Sequence, residues 1–118
     1  MSDPTTSQQI ATQNDRFRRL FGLPGSATLG KAFITAGVSA LTDAQRAEIF
    51  AKVRAFDNFT QANDPHGEHD FGSLEIEGVG RILWKLDLYD IHYQYGSEDP
   101  ADPTVTRRVL TVMLAEEY

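Results

Sequence analysis

The chain has 118 residues, no cysteine and a formal net charge of −6. That length suits one domain with its own core, and the missing cysteine excludes disulfide staples, thiolate zinc sites and cysteine nucleophiles. No apolar run approaches the ~20 residues that span a bilayer, and the opening MSDPTTSQQI lacks the basic start and apolar core of a signal peptide. A single domain over 1–118, located in the cytoplasm and without membrane contact, is expected.

Residues 1–5 are expected to be loose. A first helix is predicted from Thr6 to Phe21, because Ile10, Phe17, Leu20 and Phe21 fall near one helical stripe whose gaps are filled by Ala11 and Asn14. Arg16, Arg18 and Arg19 lie in its last turns, where cations complement the helix dipole. Gly22, Pro24 and Gly25 then break the helix. Residues 29–38 suit a strand, since Phe33, Ile34, Thr35 and Val38 favour extended geometry. Thr42 with Gln45 forms a capping box, and Ile49, Phe50, Val53 and Phe56 recur at helical spacing, which predicts a helix over 43–57.

Residues 56–72, FDNFTQANDPHGEHDFG, read as a loop, since Pro65 and Gly67 rule out a regular helix. FGSLEIE alternates, with Leu74 and Ile76 on one face, and RILWKLDLYD alternates again with Ile82, Trp84, Leu86 and Leu88. With the turn at 78–80 between them, the two runs predict an antiparallel hairpin. IHYQY would add or extend a strand. Asp102 before Pro103 fits a helix N-cap with proline at the first helical position. Val105, Val109, Val112 and Met113 suit a C-terminal helix, although VLTVML fits a buried strand equally. The fold class expected is α+β: a small antiparallel sheet of three or four strands packed by two or three helices.

Charge is spread unevenly. From Asp57 to Pro103 eleven acidic residues face only Arg81 and Lys85, giving −9, while the remainder carries +3. Phosphates would be repelled by the middle segment, which argues against nucleic acid binding there. A basic protein partner is compatible with it.

Asp64, His66, Glu68, His69 and Asp70 of the first acidic segment, with His92, are competent ligands for one divalent metal such as zinc. His66, His69 and Asp70 would be the ligands, with Glu68 or Asp70 as general acid or base. The helical two-histidine signature of metalloproteases is absent, and H-x-E at 66–68 lacks the cysteines that zinc deaminases use. A polar turn explains the segment as well: Asn63 and Asp64 bond nearby amides, Pro65 sets a turn angle and Gly67 takes a positive φ. Lys85 and Asp87 read as an ion pair on one strand face, and Asp87 and Asp90 flank Tyr89 near the strand end. Ser73 and Ser97 have no nucleophile-elbow context, and G-V-G at 78–80 is no dinucleotide fingerprint.

NDPHGEHDFG, ILWKLDLYD and YGSEDPADPTVTRRVLTVMLAEEY together resemble the DUF3768 family of small bacterial proteins, over about residues 30–118. The family name denotes unknown function, so the resemblance carries over no catalytic residue. It implies an accessory gene of alphaproteobacteria, often on plasmids and other mobile elements. In that setting, small acidic proteins without cysteine are often inhibitors of host defence. The expected function is therefore a non-catalytic binding module, without cofactor, for a basic nucleic-acid-handling protein. Asp64, Glu68, Asp70, Glu98, Asp99 and Asp102 are the candidate contacts, with Tyr89, Tyr93 and Tyr95 as anchors. The alternative is the metal-dependent enzyme centred on His66–Asp70.

Overall fold

A computed structural model describes residues 5–23 and 30–118. The expectations for residues 1–4, for Pro24 and Gly25 as helix breakers and for Leu29 as strand start lie outside these. Helix α1, Thr6–Arg19, begins where Thr5 closes a capping box with Gln8, so Thr5 is an N-cap rather than a loose residue. It stops two residues before the expected Phe21, in a tight turn where Leu20 and Phe21 donate to the carbonyls of Phe17 and Arg18.

Strand β1, Gly30–Ile34, is shorter than its sequence suggests. Thr35 leaves the strand to precede the single turn of α2, Ala36–Ser39, and Val38 is buried from that turn. The hydroxyl of Thr35 donates to Glu117 at 2.5 Å and the amide of Gly37 donates to the same carboxylate at 2.9 Å, which fixes the exit from the strand. Helix α3, Asp43–Ala55, has the expected Thr42/Gln45 capping box and ends two residues early.

Strands β2, Phe71–Ile76, and β3, Gly80–Tyr89, form the expected hairpin, with Lys85 paired to Asp87 at 3.1 Å. The C-terminal helix is not formed. Arg107–Leu114 is strand β4, followed by a 3₁₀ turn, Ala115–Glu117. The reason is burial: Arg108, Leu110 and Val112 alternate into the core, and Met113 is buried from the other face. A surface helix would need a polar face that VLTVML lacks.

Among the described residues four strands form one sheet in the order β1-β4-β3-β2. The hairpin and the β3–β4 pair are antiparallel, but β1 runs parallel to β4, so the sheet is mixed rather than antiparallel. The cause lies in the connection. The chain passes from β1 to β2 through α3, and a helical crossover delivers the next strand in the same direction. None of the described helices is long and apolar enough to cross a membrane.

One sheet face carries the core. Phe17 of α1 and Phe21 just beyond it, with Ile49 and Val53 of α3, pack on Ile76, Ile82, Trp84, Leu86, Leu110 and Val112. Each large apolar side chain buried there contributes about 1.5–3 kcal/mol before entropy is counted. Trp84 sits at the centre, fully buried, edge-on to Phe56 at 5.4 Å. Its neighbour across the hairpin, Gly72, has no side chain, and a Cβ there would overlap the indole ring.

Gly72→Ala should therefore destabilise the fold by about 1–3 kcal/mol, the usual cost of overpacking. Urea unfolding measures this; a midpoint equal to the parent's would show that Trp84 is not seated against the glycine.

Candidate functional site

The strand register brings the two acidic loops together. β2 begins at Phe71 opposite Lys85, β3 ends at Tyr89 opposite Arg107, and Gly30 of β1 lies opposite Arg108. All these positions mark one end of the sheet. Residues 56–70 enter the sheet at this end, and residues 90–106 connect β3 to β4 there. Each loop holds four carboxylates and neither holds lysine or arginine. Helix α1 ties both down with consecutive residues: Gln13 donates to the carbonyl of Ala101 at 2.7 Å, and Asn14 donates to the carbonyl of Glu68 at 2.9 Å.

The first loop is built around Asp64 and His69. Asp64 is buried and accepts the amide of His69 at 3.2 Å. That bond holds His69 at φ 56°, unusual for a residue with a side chain. The imidazole stacks on Phe59 with centroids 3.8 Å apart and planes 2° from parallel. Its Nδ1 lies 3.0 Å from both oxygens of Asp15, and its Nε2 lies 3.6 Å from Asp64. Asp15 in turn accepts from the fully buried Arg18 at 2.9 Å. Arg18 also donates to the carbonyls of Val53 at 3.0 Å and Phe56 at 2.7 Å, at the end of α3, and lies over the rings of Trp84 and Phe59. The basic residue that the sequence assigns to the dipole of its own helix thus serves carbonyls at the C-terminal end of another.

Glu68 and Asp70 are half-buried, and both carboxyls titrate above their ordinary range. For each, burial is the main cause. The charge of Asp70 adds to it at Glu68, and the charge of Asp64 at Asp70, where an opposing bond to its own backbone amide pulls the other way. His66 and Gly67 are exposed, with Gly67 at the positive φ its sequence position suggests. Among the described residues no three His, Asp or Glu side chains are arranged to hold a metal ion.

In the second loop IHYQY is a turn rather than a strand, closed by a single bridge between Tyr89 and Gly96. Asp90 accepts the amides of His92 and Gln94 at 3.0 and 3.1 Å, and those bonds hold its carboxyl below the usual range. Asp102 is not a helix N-cap. It accepts the hydroxyl and amide of Thr104 at 2.7 and 2.9 Å, which lowers its carboxyl too. The buried Thr106 donates to the carbonyl of Asp99 at 2.9 Å and sits 2.7 Å from the hydroxyl of Ser97. Glu98 and Asp99 project outward, exposed. Of the tyrosines, Tyr95 is 74% exposed, Tyr89 is half-buried, and Tyr93 lies under the ammonium of Lys31 at 4.2 Å. Ile91 and Val105 are exposed in the same loop as Tyr95, and with Asp90, His92, Glu98 and Thr104 they line a groove of about 270 Å³.

Sequence reasoning missed Asn14, Asp15, Arg18 and Arg108. The signal was there for Asn14, a polar residue on the apolar stripe of α1, and for Arg108, which takes the inward register of β4. A buried polar group in such a place must find partners.

The fold and these loops define a small α+β domain: one mixed sheet with α1 and α3 on one face and an acidic end. Residues 34–117 match DUF3768, a protein family of unknown function, and the chain belongs to that family. No curated protein and no solved structure matches the chain. The match begins at the last residue of β1, so α1, which supplies Asn14, Asp15 and Arg18, lies outside it.

Asp15→Asn should leave Arg18 buried without a carboxylate and cost about 3 kcal/mol, the low end for breaking a buried pair. Pairing it with Arg18→Met should recover part of that loss in urea unfolding; a double variant weaker than the sum of the singles would contradict the pairing. A second test concerns pH. Asp70 has a raised carboxyl in the fold, so the folded state binds its proton more tightly than the unfolded chain, where the value is near the ordinary 3.8. Stability is lost as pH rises through the raised value, and the penalty is complete above it. Asp70→Asn should therefore melt higher than the parent at pH 7 and match it at about pH 2.5, below both values.

Proposed function

We propose that the chain is a non-catalytic protein-binding module that offers its acidic end to a basic partner. The observation that carries this reading is the convergence of two loops with eight carboxylates and no lysine or arginine at one end of the sheet. Charge complementarity of that kind speeds encounter and selects basic surfaces. The exposed Ile91, Tyr95 and Val105 among those carboxylates supply apolar contact once the partner has arrived. The groove between Asp90, Glu98, Ile91 and Val105 suits a lysine or arginine side chain, its stem on the apolar residues and its head at the carboxylates. Proteins that handle nucleic acid present such basic surfaces, so the partner class is a nucleic-acid-handling protein. The module would inhibit it by occupying its phosphate-binding groove. Anti-CRISPR or anti-restriction activity is the form this takes if the gene travels on a mobile element.

Metal-dependent hydrolysis through His66, Glu68, His69 and Asp70 is the weaker reading. Both ring nitrogens of His69 face carboxylates and the ring is stacked on Phe59, so the histidine is already committed within the fold.

Affinity capture at rising salt tests the proposal, with partners identified by mass spectrometry. Parent protein should retain nucleic-acid-binding proteins at low salt and lose them steeply as salt rises. Glu98→Lys with Asp99→Lys should weaken that retention by about tenfold or more, equivalent to about 1.4 kcal/mol. Asp102 is left in place because it holds Thr104. A charge-matched control, Glu75→Lys with Glu77→Lys at the opposite end of β2, should retain the partner. Equal loss in both double variants would reduce the effect to net charge, and no loss in the first would remove the acidic end from the interface.

A further inference from the structure

A second groove lies along α1, on the side of Arg108. Gln9, Thr12, Arg16 and Phe17 of the helix form one wall, and Pro103 and Arg108 face them across about 300 Å³. That volume is at the lower end for small-molecule sites. Arg108 is only 3% exposed. Its Nε donates to Asn14 at 2.7 Å and its Nη2 donates to Gln13 at 3.0 Å. Both acceptors are neutral amides, and both are pinned: the nitrogen of Gln13 donates to Ala101 and that of Asn14 donates to Glu68.

No carboxylate among the described residues pairs with Arg108, and its Nη1 has no partner there. Burial alone, with no acidic neighbour to oppose it, brings its pKa down to about 10. Arg18, equally buried, is by contrast compensated by Asp15. A buried ion without a counter-charge costs several kcal/mol, and a tie between α1 and β4 could be made by neutral side chains. The charge therefore serves something that enters from the groove.

We propose that this groove binds a small organic carboxylate, with the carboxylate on the guanidinium of Arg108 beside Arg16 and the apolar body against Phe17 and Pro103. A guanidinium edge matches the two oxygens of a carboxylate. The apolar wall formed by Phe17 and Pro103 favours an organic acid over a fully hydrated inorganic anion. The site is separate from the groove at Asp90 and Glu98 and does not depend on the reading of the acidic end.

The test uses sodium benzoate as probe, with benzamide and sodium phosphate at matched ionic strength, followed by thermal melting and amide NMR shifts. At about 10 mM, ample for a Kd near 1 mM, benzoate should raise the melting temperature and shift the amides of Gln9, Thr12 and Arg16. Benzamide, the uncharged isostere, should do neither. Thr12→Trp changes an exposed position on α1, should fill the groove, and should abolish the benzoate response in a protein that still melts cooperatively. Arg108→Gln should abolish it as well; if that variant does not fold, Thr12→Trp carries the result. A response to benzamide or phosphate equal to that of benzoate would overturn the assignment. So would a response retained in Thr12→Trp, or none in the parent.

Discussion

A buried guanidinium is costly unless its charge and its donors are answered, and the way Arg18 is answered sets the arrangement of the molecule. Its three nitrogens reach a carboxylate of its own helix and two carbonyls at the end of α3, while its plane covers Trp84. The reverse contact is made by Arg54 of α3, which donates to the carbonyl of Phe21 beyond α1 at 2.9 Å. Each helix thus supplies an arginine to the other's C-terminal end, where carbonyls lack helical partners. That exchange fixes the two helices over the sheet. Through Asp15 it also reaches His69, so the acidic loop inherits its position from the core.

Apart from the half-buried Glu68 and Asp70, the acidic end contains carboxylates of two kinds. Asp64, Asp90 and Asp102 accept amides and shape their own turns. Asp57, Glu98 and Asp99 are exposed, and their carboxylates accept no hydrogen bond from the described residues. The first kind makes the loops rigid, and a rigid surface loses less entropy when it binds. Of the second kind, Asp57 acts on the buried Arg18 through its charge, and Glu98 and Asp99 leave negative charge facing solvent.

The elements legible in the sequence were those whose signals are local. The capping box at Thr42 and the alternation across 71–89 depend on residues within a few positions of each other, and α3 and the hairpin formed where those patterns lie. The strand at Arg107–Leu114 was ambiguous because the run VLTVML is apolar at nearly every position and so shows no period to read, although its burial alternates. The parallel pairing of β1 was hidden because its partner lies some eighty residues away. The candidate site was legible in composition only. The charge of the two loops could be counted, but their meeting at one end follows from strand direction. Gln13, Asn14 and Asp15, which hold them, sit in a helix far upstream. Asp102 before Pro103 carried a true turn signal that belonged to a different turn.

The position of β4 has a consequence for how the chain acquires its structure. It is the last strand in sequence, yet it lies inside the sheet, between β1 and β3. On a ribosome, β1 would emerge long before any partner exists for it, and the hairpin would wait with one edge unpaired. Non-local pairing of this kind slows folding and leaves strand edges open to other chains meanwhile. The sheet becomes continuous only when β4 joins both halves, so the native topology waits for residues 107–114 to be made.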